Sequence, residues 1–226
     1  MRAPADRSVG RLAIHMISSP DIDKLLRRYL SPILRENGFA KVTARKAWGW
    51  QDHCVSVLQI RAVGSYFSDV TGWPPMSVCA WTGVYYDFIP FEGHTPPRRD
   101  EKGRLVPDEA YCHMRSHLSR SLDQSRFTDQ LSNPAERARR DIWWFERDGS
   151  NIEETIEDIA LRFVSEGKPW FDRYTDLSKT LADIEAERDC YNKFYKAEHF
   201  AKQLGLEAKH NMYAQKRVLE KTRMGL

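Results

Sequence analysis

Apolar residues recur along this chain in two periods, one helical and one extended. In SSPDIDKLLRRYLSPILRENGF, Ile22, Leu25, Leu26, Tyr29, Leu30, Ile33 and Leu34 fall on one side of a 3.6-residue spiral. Ser19 or Asp21 caps this helix, and Pro20 suits its first turn. Pro32 lacks the N–H the ladder needs, so a kink or split is expected there. Gly38 is placed for a left-handed C-cap, with Phe39 folded back on the apolar face. The period then changes to two. AKVTARKAWGWQ and HCVSVLQIRAV read as strands joined by a hairpin turn. After a break at Gly72, Pro74 and Pro75, MSVCAWTGVYYDFI points Val78, Ala80, Thr82, Val84, Tyr86 and Phe88 one way. Cys79, Trp81, Gly83 and Tyr85 point the other way, so this strand carries apolar residues on both faces and belongs inside a sheet.

The next segment, PFEGHTPPRRDEKGRLVPDEA, is polar and rich in Pro and Gly, and reads as a long mobile loop suited to meeting a partner. YCHMRSH follows as a half-buried strand. Cys112, Met114, Ser116 and Leu118 take one face, and Tyr111, His113, Arg115 and His117 the other. DIWWFERD is a short strand with one tryptophan for each face. It leads into a helix with the stripe Ile152, Ile156, Ile159, Ala160, Phe163 and Val164. A capping box from Ser150 with Glu153, or Asn151 with Glu154, starts that helix. Gly167 ends it and Pro169 prevents its resumption. Two helices, 177–204 and 206–223, complete the chain around a break at Gly205. The fold class is α+β: an antiparallel sheet of about five strands packed against helices, with a C-terminal helical pair. Residues 1–19 form a loose arm, 20–175 the α+β domain and 176–226 a helical extension.

Charge narrows the choice of partner. Residues 1–140 carry 21 basic and 15 acidic side chains, 141–189 carry 6 and 14, and 190–226 carry 8 and 3. The basic excess is spread thinly, whereas nucleic acid calls for a concentrated stripe. Cys54, Cys79, Cys112 and Cys190 are far apart, which reads as reduced thiols in a cytoplasmic protein. LAIHMI is too short for a signal core or a bilayer span, so no membrane partner is expected.

Candidate chemistry is sparse. His113 and His117, on a strand, stand about 13 Å apart and cannot share a metal. Cys112 beside His113, and Cys54 beside His53, point to opposite faces and cannot act as nucleophile and base. No phosphate loop, nucleophile elbow or zinc-protease motif occurs. The residues therefore point to no catalytic group, metal or cofactor. Three readings remain. A non-enzymatic, intracellular protein-binding domain of bacterial type, as in toxin immunity or phage defence, would use the polar face of His113, Arg115 and His117, where Arg115 offers a planar fork. Trp48, Trp50 and Trp73 beside turns would serve it as exposed anchors. A nucleic-acid-associated protein would use Arg98, Arg99, Arg137, Arg139 and Arg140. An enzyme would gather His94, His113, Arg115 and His117 around a pocket. Oligomeric state leaves no signature.

Several of these segments, LSPILRENGFAKVTARKAWGW, MSVCAWTGVYYD, YCHMRSHLSRSL, DIWWFERDGSNIEETIEDI and GKPWFDRY, resemble those of the bacterial domain-of-unknown-function 4304 family. The resemblance runs over roughly residues 22–185. It implies an α+β fold and no established activity, cofactor or catalytic residue. The loop at 90–109 and the basic last helices are additions to the family pattern.

Overall fold

A computed structural model describes residues 18–62, 77–93, 95–129, 131–146 and 148–225. Trp73, His94, the break at 72–75 and nearly all of the N-terminal arm lie outside the described residues.

Helix α1, Ser19–Leu25, runs through a π-turn, Leu26–Leu30, into α2, Ser31–Glu36. Ser18, not Ser19, caps it: Asp21 accepts the Ser18 N–H at 3.0 Å and its hydroxyl at 2.5 Å. Pro32 neither splits nor ends the helix. The Ser31 N–H reaches back to Leu26, and this wider turn absorbs the missing donor. Gly38 closes the helix at φ +88°, and Phe39 folds back between Phe163 and Phe171.

Strands β1, Lys41–Val42, and β2, Lys46–Gln51, come from the stretch expected to be one strand. Thr43 divides it, its hydroxyl accepting the Lys46 N–H at 2.9 Å. Strands β3, Cys54–Ala62, β4, Val78–Tyr86, and β5, Met114–His117, follow, and β6, Ile142–Trp143, pairs with β4 beyond the end of β5. All pairings are antiparallel. On the inner face, Leu58, Thr82 and Ser116 lie side by side. The outer face carries the rows Lys46–Gln59–Trp81–His117, Trp48–Val57–Gly83–Arg115 and Trp50–Val55–Tyr85.

The inner face is covered by helices. Helix α5, Ile152–Arg162, passes through a π-turn, Phe163–Gly167, into α6, Lys168–Thr175. Neither Gly167 nor Pro169 stops it. Gly167 keeps a helical φ of −65°, and the Lys168 N–H reaches back to Phe163, so the wider turn absorbs the donor that Pro169 lacks. The expected capping box is absent, because the Asn151 side chain turns to the Glu146 N–H and the Trp144 carbonyl. Val164 is half exposed rather than part of the stripe.

The C-terminal pair is present, with its first member divided. Helix α7, Leu177–Ala186, breaks before α8, Tyr191–Gln203, which turns at Gly205 into α9, Glu207–Arg223. Leu181, Ile184, Phe194, Ala197 and Phe200 share one core with Leu58, Val84 and Tyr86. Phe200 packs edge-on against Tyr86, with ring centroids 4.6 Å apart, and against Phe88 at 5.1 Å. Truncating it to alanine should therefore cost about 3–5 kcal/mol. Urea unfolding checks this. A loss near zero would mean that α8 is an appendage and not part of the core.

Candidate functional site

The outer face is covered by irregular chain in two pieces. One is a strap, residues 95–112, and the other comprises residues 124–129 and 131–146, with two short helices, α3, Ser125–Thr128, and α4, Pro134–Arg137. The strap is not the mobile loop its composition suggests. Its tip is a hairpin, bridged at Arg99 and Leu105 and turned through Gly103 at φ +76°. The indole N–H of Trp48 donates to the Pro107 carbonyl and that of Trp50 to Leu105, each at 2.8 Å. Lys46 pairs with Asp108, and the Arg104 guanidinium lies 3.8 Å over the Trp50 ring. These two tryptophans are thus internal fasteners and not exposed anchors, because the strap offers carbonyls that need their donors.

At the base of the strap a short 3₁₀ turn, Glu109–Tyr111, drops Glu109 onto the sheet. Its carboxylate is fully buried, at 0% exposure. Arg115 Nε donates to Oε1 at 2.5 Å and Nη2 to Oε2 at 3.2 Å, and Arg61 Nη2 lies 3.6 Å from Oε2. Gln59 accepts the Glu109 N–H at 3.2 Å. Gly83 makes room for this arrangement, since a Cβ there would sit 2.6 Å from Cys112 Sγ. The side chains of Arg61 and Arg115 remain 45% and 46% exposed. Glu109 raises the Arg115 pKa further, so the guanidinium stays charged. Beside them lie partly buried Trp81 and exposed His117, edge to face at 5.9 Å.

The fork of Arg115 is therefore occupied by its own chain, and what Arg115 offers outward is its remaining edge. The even alternation expected from Tyr111 to Leu118 fails at its start. Cys112 donates its N–H to Glu109 inside the turn, so it joins Trp48, Val57 and Tyr85 on the outer face. His113 does not join Arg115 and His117. Its Nδ1 accepts the Tyr86 N–H at 3.0 Å at the end of the ladder. Burial, with Lys196 and His199 of α8 nearby, pushes its pKa down to about 4. His113, Arg115 and His117 thus do not converge on one pocket, and His94 is not among the described residues.

The basic residues expected to touch phosphate are divided between the two covers. Arg99 donates to the Gly103 carbonyl at 2.6 Å, and Arg98 lines a cavity beside it. Arg137 donates to Leu131, Arg139 holds Asp141 through two bonds, and the Arg140 carbonyl accepts the Arg120 N–H. Arg99 acts on Tyr85 and Arg139 on Cys79, which are six residues, or about 20 Å, apart along β4. The three buried thiols, Cys54, Cys79 and Cys112, are poor nucleophiles. Burial pushes Cys54 and Cys79 up to about 12 and raises Cys112 as well. Among the described residues no group of three or more His, Cys, Asp or Glu is placed to hold a metal ion, and no helix is long and apolar enough to cross a membrane. Compared with protein-family models, curated proteins and solved structures, the chain matches none.

Arg61, Gln59 and Glu109 escape sequence reasoning. Glu109 sits in a polar run, and its partners are fixed only by strand register. A fully buried carboxylate gives an asymmetric prediction. Arg115→Ala leaves a sealed charge with one partner and should cost about 3 kcal/mol, whereas Glu109→Gln keeps the shape and should cost about 1–2 kcal/mol. Chemical denaturation of the two variants checks the order. His113 gives a pH signature. Its folded-state pKa is depressed, so its contribution is complete above the unfolded value of 6.5 and is lost as pH falls from there towards about 4. The loss should be on the order of 2–3 kcal/mol. In His113→Phe, less stable at neutral pH, that slope should flatten in urea midpoints measured across the same range.

Proposed function

We propose that the chain is a non-enzymatic recognition domain that binds an acidic segment of another protein along the open strip between its two outer covers. The observation that carries this reading is the Glu109 carboxylate. It is shut away from water, and it orients two guanidinia whose far sides stay nearly half exposed. Arginines held this way lose little side-chain entropy on meeting a partner carboxylate. Trp81 and His117 extend the strip with a polar-tipped aromatic surface of the kind that anchors interfaces. The raised thiol pKa values fit a binding surface better than covalent catalysis. A nucleic-acid reading is less well supported, because Arg99, Arg137 and Arg139 are engaged within their own covers.

A photo-crosslinking residue at position 117, with a control at exposed Leu161 on the helical layer, tests the reading in source-cell lysate. A discrete adduct should form from position 117 alone, survive nuclease treatment, and weaken about tenfold or more in Arg61→Ala. Equal adducts from both positions, or indifference to Arg61, would sink it. Loss on nuclease treatment would favour nucleic acid instead.

A further inference from the structure

We propose that the cavity under the strap is a binding site for a small aromatic monocarboxylate. It is independent of the recognition strip, since none of Arg61, Arg115 and His117 lines it. The cavity holds about 340 Å³, within the range of small-ligand sites. At about 30 Å³ per water-sized group that is room for roughly ten non-hydrogen atoms, one ring with a carboxylate.

The walls determine the chemistry. Trp48 and Tyr111 supply aromatic surface, and Pro96 and Val106 supply apolar surface. The two rings are held in place. Trp48 is buried and tied to the Pro107 carbonyl. Tyr111 meets Phe91 edge-on, with centroids 5.7 Å apart, and its N–H donates to the Asp108 carbonyl at 3.0 Å. A site so walled favours a flat ring over a bare inorganic anion, which would leave the apolar walls wet.

The charged lining is Lys46, Asp108 and Arg98. Lys46 and Asp108 satisfy each other. Arg98 is exposed, and no described residue pairs with its guanidinium or accepts a hydrogen bond from it. The cavity therefore carries one uncompensated positive charge with a free planar fork, which fits one carboxylate. Asp108, half exposed, can accept from a ring hydroxyl, so 4-hydroxybenzoate is the natural probe.

Titration calorimetry of the intact chain with 4-hydroxybenzoate, 4-hydroxybenzyl alcohol and inorganic phosphate tests the site. Saturable binding of 4-hydroxybenzoate is expected, about tenfold weaker or worse in Arg98→Gln, with neither the alcohol nor phosphate binding comparably. Because no described residue pairs with Arg98, that variant should keep the parent circular dichroism spectrum and melting temperature. Val106→Phe, which fills the cavity, should also abolish binding. Failure of 4-hydroxybenzoate to bind at millimolar concentration, unchanged binding in Arg98→Gln, or phosphate binding as tightly would overturn the proposal.

Discussion

Strand β4 must be buried on both of its faces, and the rest of the molecule follows from that. Its inner residues, Val78, Ala80, Thr82, Val84 and Tyr86, and its outer residues, Cys79 and Tyr85, are all withdrawn from water. Antiparallel sheets commonly leave one face wet, and here neither central face can be left so. Helices cover one side with regular, self-satisfied backbone. The other side receives irregular chain, whose N–H and C=O groups have no ladder of their own. Side chains take the place of the missing strands. Gln124 both donates to the Trp144 carbonyl and accepts its N–H, each at 2.9 Å, as a neighbouring strand would. Ser119 and Ser121 are met from the helical layer by Glu166, Arg162 and Asp158.

Glu109 is where this arrangement becomes electrostatic. A carboxylate taken out of water is costly unless its oxygens are filled. Arg61 and Arg115 fill them from β3 and β5, the strands on either side of β4, and Gln59 takes the adjacent backbone N–H. The strap cannot lift without exposing an unpaired charge on one side or stranding two cations on the other. The Trp48 and Trp50 bonds fasten the same strap further along, so its base and its hairpin are held by different kinds of interaction. A polar, proline-rich segment can thus be as fixed as a strand.

How far the sequence reveals this depends on the range of the interaction. Local signals survive: the Gly38 cap, the two-faced pattern of β4 and the Gly205 break are all present, because each depends on a few adjacent residues. Readings that assumed isolated elements fail. Gly167 and Pro169 were expected to stop a helix, but packing of Phe163 and Phe171 around Phe39 carries the chain through a π-turn. Asn151 suits a cap, yet tertiary contacts to Trp144 and Glu146 take its amide. Of the candidate site, Arg115 and His117 were legible because alternation places them on one face. Arg61, Glu109 and Gln59 were not, since only strand register and the path of the strap bring residues fifty positions apart together.

The placement of the tryptophans bears on where recognition can occur. Large aromatic residues near turns are natural interface anchors, but Trp48, Trp50, Trp143 and Trp144 are all turned inward. The indole N–H groups of Trp48, Trp50 and Trp143 serve the fold, as when Trp143 Nε1 donates to Asp158 at 2.7 Å. The open part of the outer face is left with guanidinia, an imidazole and one half-covered indole. Such a surface gains little from apolar burial and much from meeting negative charge, so under the proposed function its affinity would depend on ionic strength and on the partner's charge pattern. On the proposed reading, a fold that uses its aromatic residues to hold its own covering layer would recognise a partner mainly by charge.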